Sequence, residues 1–295
     1  MHSFDFKKLT VSKEFLLSSE AEPIRKVAES LYPKFLLARV KRGEKINPCA
    51  IPVLDDDFMT SKEGRWARML AETTFAETVM EHEKVEHTVV FFGSARIKEP
   101  GQNSRHPGNE KLAHYYNDCR ELARRITQWS LEKGCPKNPQ PFAITTGGGP
   151  AIMEAGNRGA ADAGGRTIGL NIALPMEQIP NPYISPQLNF NFHYFFTRKF
   201  HFSYRAKILV AFPGGFGTFD ELFEILTLIQ TRKIDRPCKI LLYGKEFWHK
   251  VINFQYMVDA GVIGAEDLDL FEVHDEIEPA YQTIIAHLSQ FLPKC

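Results

Sequence analysis

The chain has 295 residues, 43% hydrophobic and 24% charged, close to a soluble globular average and long enough to bury a full core. Lys plus Arg and Asp plus Glu balance at 36 each, so no global field favours a nucleic-acid partner or an anionic membrane, and any anion site must be local. No run approaches the roughly 18 apolar residues of a membrane span, and the N-terminal MHSFDFKKLTVSKEF lacks the apolar stretch of a signal peptide, so a cytoplasmic protein is expected.

Residues 1 to about 86 contain no strand-like apolar run and read as helices broken by loops, an extension ahead of a main domain at 87–295. Phe15, Leu16, Leu31, Phe35 and Leu36 predict that this extension is ordered rather than a tail. From Ser61, a candidate N-cap followed by Glu63, residues Trp66, Met69, Leu70 and Phe75 recur at helical spacing. At TVVFFGSAR (88–96) the pattern changes to a short continuous apolar run ending in Gly-Ser, as expected for a buried parallel strand. Leu112, Tyr115, Cys119, Leu122, Ile126 and Trp129, at steps of three and four, predict an amphipathic helix. Next come FAITTGGG as strand and loop, PAIMEAGNRGAADAG as helix and TIGLNIAL as strand. A Pro-rich irregular stretch follows, in which Phe190, Phe192, Tyr194, Phe195 and Phe196 read mostly as core, with one ring available to a nucleobase, and His193 as a packed or hydrogen-bonded side chain. ILVAF then forms a strand, FGTFDELFEILTLIQTRK a helix, CKILLYG a strand, Lys245 opens a helix, LFEVHD is a strand, and a last helix closes the chain. This alternation predicts an α/β, Rossmann-like doubly wound sheet, mostly parallel, behind an N-terminal helical extension.

The five cysteines, Cys49, Cys119, Cys135, Cys238 and Cys295, are scattered and lack CxxC spacing, so neither structural disulfides nor a zinc site is expected.

Three segments end predicted strands in small residues: Gly93-Ser94-Ala95, Gly147-Gly148-Gly149-Pro150, and Pro213-Gly214-Gly215-Phe216-Gly217-Thr218. In a parallel sheet all three emerge at the carboxyl edge, where backbone N–H groups and helix N-termini bind anions. One such turn alone is an ordinary tight turn; three together imply a nucleotide or sugar phosphate. Neither GxxxxGK[ST] nor a GxGxxG directly after the first strand is present, which disfavours the usual kinase, GTPase and dehydrogenase loops. Glu221 follows Thr218 by three residues, either reaching back toward the loop's ligand or closing a capping box with Thr218, two compatible readings. Asp220 and Glu224 read as a solvated face, and Arg198-Lys199, taken alone, as surface charge.

GGGPAIMEA (147–155) together with PGGFGTFDE (213–221), and TRK (197–199) ahead of the latter, resembles the LONELY GUY (LOG) family, also described as possible lysine decarboxylases. The resemblance covers about 88–295, and FFGSAR is similar to the longer bacterial members. It implies a Rossmann-like homodimer or higher homo-oligomer that hydrolyses the N-glycosidic bond of a nucleoside 5′-monophosphate, with no metal or other cofactor. Nothing in the sequence suggests a pyridoxal phosphate site. Carried onto these residues, Gly214, Gly215, Gly217 and Thr218, with Phe216 in the loop, would hold the 5′-phosphate. Glu221 would bind the ribose and stabilise its cation, and Arg198 would be the second catalytic residue. Lys199, Gly93, Ser94, Gly147, Gly148, Gly149, Met153 and Glu177 would complete the substrate pocket. Pro150 and Ala151 depart from the Gly-Leu-Met-Gly of short members, so a purine or pyrimidine monophosphate is as fitting as a cytokinin precursor. The alternative is a non-catalytic nucleotide sensor of the same fold.

Overall fold

The computed structural model describes residues 55–102, 107–175, 179–234 and 238–294. Glu177 and most of the N-terminal extension, with its expected order, lie outside the described residues. The chain divides into two units between Arg68 and Met69. Of the first, residues 55–68 are described: Asp55 caps helix α1 (Asp56–Thr60) by accepting the Phe58 N–H at 2.9 Å. Ser61 ends α1 rather than starting the long helix, although its Oγ accepts the Gly64 N–H at 3.1 Å just before helix α2 (Arg65–His82) begins. The expected N-cap is thus offset by one turn.

The second unit is built on seven parallel strands: β1 (His87–Phe92), β2 (Phe142–Thr146), β3 (Thr167–Ile172), β4 (Asn189–Phe192), β5 (Ala206–Ala211), β6 (Lys239–Tyr243) and β7 (Phe271–His274). Their order is β4-β3-β2-β1-β5-β6-β7, which bears out the doubly wound reading. β2, β3 and β5 are buried throughout, as parallel strands covered on both faces must be. One face carries α4 (His114–Glu132), α5 (Ile152–Asp162) and the closing helix α10 (Ile277–Leu288). The other carries the later turns of α2, then α6 (Phe195–Tyr204), α7 (Phe216–Gln230) and α8 (Lys245–Val251), with Trp248 fully buried. Two short helices, α3 (Pro107–Lys111) and α9 (Phe254–Asp259), lie in connections. Among the described residues no helix is long and apolar enough to cross a membrane.

Several local expectations need correction. The irregular stretch contains edge strand β4, whose Asn-Phe-Asn-Phe alternates exposed and buried, so Phe190 and Phe192 are core while Phe195 and Phe196 face solvent. His193 is exposed, its ring against Tyr194 and its backbone N–H donated to Glu72. On α2 the burial falls on Ala76 and Met80, four apart, while Trp66, Leu70 and Phe75 are exposed. Cys135 is disulfide-bonded, against expectation, whereas Cys119 and Cys238 are free. Burial pushes the Cys238 thiol up to about 12 and Cys119 well above its ordinary value, so neither is a reactive thiolate.

A buried polar network ties β2, β3 and α5 together. Asn157 Oδ1 accepts from Thr146 Oγ1 at 2.6 Å and from Asn181 Nδ2 at 2.9 Å, while its Nδ2 donates to Thr167 Oγ1 at 2.6 Å and to the Ile168 carbonyl at 3.1 Å. Every arm of the amide is used, so removing it strands partners that water does not reach. Asn157→Leu, similar in volume, is expected to lower unfolding free energy by about 3 kcal/mol, measured by urea denaturation.

Candidate functional site

Strand order reverses between β1 and β5, and the connections leaving the carboxyl ends of these neighbours are Gly93-Ser94 and Pro213-Gly214-Gly215. Such a switch point opens a crevice outside the sheet. The loops are joined: Ser94 N–H donates to the Pro213 carbonyl at 3.0 Å, and Ile152 N–H, at the start of α5, donates to the Ser94 carbonyl at 3.3 Å. Ala151, the residue before α5, is held at φ 63° and ψ −122°. An L residue there stores about 1–3 kcal/mol of backbone strain, and docking α5 on the Ser94 loop keeps it in place.

The third loop lies beyond neighbouring β2 and is more enclosed than its composition suggests, since Gly147, Gly148 and Gly149 are all buried. Gly148 has φ +73°, and a Cβ on it would collide with the Asn171 carboxamide, so glycine is required twice over. Asn181 pins the loop, its backbone N–H donating to the Gly148 carbonyl at 2.9 Å and its Nδ2 to the Gly148 and Gly149 carbonyls, both at 3.1 Å. Met153 touches this loop: a Cβ on Gly147 would stand 2.9 Å from its Sδ.

Helix α7 starts at Phe216 with Gly215 as N-cap and no capping side chain. Thr218 is therefore the third helical residue and Glu221 lies a turn deeper, so the capping box between them does not form. Gly214 is needed for close approach, because a Cβ there would collide with the buried Thr218 hydroxyl. Open space faces Gly215 and Gly217. The first-turn amides of an α-helix lack intrahelical acceptors and carry its positive end, so this loop presents a ready anion cradle.

Beside it the structure brings Arg198, Lys199 and Glu221 together. α6 carries the two cations and α7 the carboxylate. Arg198 Nη2 is 3.3 Å from Glu221 Oε1, and Lys199 Nζ is 3.4 Å from Glu221 Oε2. The side chains are 12%, 14% and 4% exposed respectively, so the Arg-Lys pair is no surface ornament. Asp220 and Glu224 are also engaged, at 2.9 and 2.7 Å from Lys199 Nζ. Burial raises the Glu221 carboxyl above its ordinary value despite the pull of Lys199 and Arg198. It also lowers the Arg198 guanidinium against the pull of Glu221. Burial would lower Lys199 too, but hydrogen bonds to Glu224 and Asp220 prevail and raise it. The result is a desolvated carboxyl on which burial outweighs the pull of two fixed cations. Lys199, Asp220 and Glu224 help line an open groove of about 540 Å³ along α7, whose apolar lining includes Phe216, Phe219, Phe223 and Leu228.

Residues 153–284 match the family model described as Possible lysine decarboxylase. The resemblance to the LONELY GUY family is thereby borne out. The matched stretch contains Arg198, Lys199 and the PGGFGTFDE segment. Over 97 residues the chain is 30% identical to a Probable cytokinin riboside 5′-monophosphate phosphoribohydrolase LOGL5 of Oryza sativa subsp. japonica, in a match spanning 32% of this chain and 38% of that relative. Among solved structures, that of TM1055 is similar at 20% identity and TM-score 0.42, covering 68% of this chain and 99% of that one. A Moco carrier protein from Chlamydomonas reinhardtii is similar at 17% identity and TM-score 0.43, covering 70% and 99%.

Sequence reasoning missed Asn157, Asn171 and Asn181, which fix the glycine loop, and Glu72, which anchors α6. Polar residues inside otherwise apolar elements are the one signal that could have singled out Asn157 on α5 and Asn171 on β3; Asn181, in a connection, and Glu72 have no local signal.

The raised Glu221 carboxyl has a definite linkage sign. Its folded pKa exceeds the unfolded value of 4.5, so the folded state binds this proton more tightly and the group favours folding below that value. That contribution is lost as pH rises from 4.5 through the folded pKa. Glu221→Gln lacks it, so the unfolding free energy of the variant minus that of wild type should increase over this window, as followed by urea titrations across pH.

Proposed function

We propose that the protein hydrolyses the N-glycosidic bond of a nucleoside 5′-monophosphate, releasing free base and ribose 5-phosphate. The observation that carries this reading is the buried Glu221 carboxylate, clasped by Arg198 and Lys199 beside the α7 cradle at the switch point. The 5′-phosphate docks at the N-terminus of α7, where Phe216 and Gly217 supply N–H donors and Thr218 its hydroxyl. Anchoring at this remote group provides binding energy that orients the sugar. As the C1′–N bond lengthens the ribose takes on oxocarbenium character, and Glu221, beneath the ring, stabilises that charge in a site with little water to screen it. Water bonds to C1′ and the base departs with the proton. Arg198 favours the ionised form of Glu221 against its burial and faces the reacting sugar, while Lys199 fixes the far carboxylate oxygen. Gly93, Ser94, Met153 and Gly147–Gly149 complete the pocket around sugar and base. AMP and cytokinin riboside 5′-monophosphates are the substrates to compare, the latter because the rice relative carries that name.

Chromatographic assay against AMP, GMP, IMP, CMP, UMP and an isopentenyladenosine monophosphate tests this directly. Wild type is expected to release base and ribose 5-phosphate, with kcat falling about 100-fold or more in Arg198→Ala and Glu221→Ala. Tight binding with the nucleotide left intact would instead establish the sensor reading.

The proposal extends to a homodimer. Phe196, Phe200 and Tyr204, each four residues on from the last, expose an aromatic stripe along α6, and Phe216 at the start of α7 is 96% exposed beside the α7 groove. Exposed aromatic area of this kind marks an association surface, and a second copy would cover it. Sedimentation velocity should give a dimer for wild type and a shift toward monomer for Phe196→Asp/Phe200→Asp.

A further inference from the structure

The two cations of the site sit on α6, whose first turn is held from within by the Thr197 hydroxyl on the Tyr194 carbonyl at 2.8 Å. Its N-cap residue is Tyr194, which makes no side-chain capping bond. The cap comes from elsewhere in the chain. Glu72 on α2 accepts the His193 N–H at 2.8 Å through Oε1, and through Oε2 the Tyr194 N–H at 3.4 Å and, shared with the Tyr194 carbonyl, the Thr197 hydroxyl at 2.8 Å. A carboxylate at a helix N-terminus both accepts orphan donors and opposes the positive end of the helix dipole. The far end of α6 is fastened to the same helix by Glu77, which pairs with Arg205 Nη2, and to the turn after it by Arg205 Nη1, which donates to the Val85 carbonyl at 2.6 Å. Between them His201 is buried against Phe192, and burial together with the Arg205 charge brings it down to about 4, so it packs as a neutral ring.

What Glu72 fixes bears directly on Arg198. The first hydrogen bond of α6 runs from the Arg198 N–H to the Tyr194 carbonyl at 3.3 Å, and the Arg198 guanidinium lies over the Phe195 ring at 5.1 Å. Both supports belong to the turn that Glu72 caps. We propose that Glu72 is a positioning residue for the site: it sets the start of α6 and thereby the place of Arg198 against Glu221, acting through Arg198 and touching neither substrate nor Glu221. Its kinetic consequence rests on the phosphoribohydrolase reading; its structural consequence does not.

The test is a double-mutant cycle in the full-length protein. Glu72→Ala is expected to lower kcat for the preferred monophosphate about tenfold or more, with KM, set at the separate phosphate cradle, within about twofold. Glu72→Gln, which keeps an acceptor, should recover most of the loss. The Glu72→Ala/Arg198→Ala double variant should be no slower than Arg198→Ala, because the proposal routes the effect of Glu72 through Arg198 alone. Wild-type kcat in Glu72→Ala, or losses that multiply in the double variant, would overturn the proposal. Should Glu72→Ala fail to fold, Thr197→Val removes one of the three donors; a smaller fall in kcat that vanishes in the Arg198→Ala background supports the proposal, and an unchanged kcat defeats it. Amide exchange separates this inference from the functional reading. Faster exchange at residues 194–198 in Glu72→Ala, with 217–221 unchanged, supports the brace even if wild type cleaves no monophosphate, and unaltered exchange sinks it.

Discussion

Pairing between β1 and β5 is the constraint on which the rest depends. In a sheet whose strands all run one way, every strand ends at the same edge, so the helices must cross back over the faces. Where the order reverses, neighbouring connections depart to opposite faces and leave a gap above the strand ends. Here the gap is closed from below by the Ser94–Pro213 hydrogen bond, and α5 and α7 start from its two sides. A strained Ala151, a glycine loop pinned by Asn181 and a helix N-terminus free of side-chain caps are tolerable together because the same small region of backbone anchors all three.

The buried ionic group shows how this frame is used. Removing a carboxylate and two cations from water is costly, and only their mutual attraction and hydrogen bonds offset it. A protein selected for stability alone would fill such a position with apolar side chains. The cost falls on Glu221, whose carboxyl is displaced upward by burial, and on Arg198, displaced downward. Such opposed displacements within one contact are typical of functional sites, and the asparagine network beneath the glycine loop adds rigidity without competing for that charge.

Much of this was legible in the sequence because buried parallel strands write their own signature. VVFF, FAITT, ILVA and KILLY are short apolar runs stopped by glycine or a polar turn, and each is a strand. The glycine loops and the Arg198, Lys199 and Glu221 positions were readable for the same reason, since fixed offsets from strand ends determine where they emerge. β4 was not, because an edge strand buries one face and its Asn-Phe-Asn-Phe is too short to stand out among aromatic neighbours. The apolar residues of α2 misled in the opposite way: Leu70 and Phe75 are exposed while the inward row is Glu72, Ala76 and Met80, chosen for what α6 and the sheet require. Glu72 was not legible either, because its partners are set by tertiary proximity and no local pattern encodes them.

The clamp between α2 and α6 also bears on how the chain reaches its native state. Glu72 and His193 are 121 positions apart, and Glu77 and Arg205 are 128 apart, so the loops they close are among the longest in the second unit. Contacts of such high sequence separation are slow to form, because the entropy of closing the loop must be overcome before the contact contributes anything. α4, α5 and the β1–β2 pairing can assemble from nearer segments. The helix bearing Arg198 and Lys199 is then seated late, when a sheet already exists to receive it. The Arg198–Glu221 geometry is thus a property of the completed molecule.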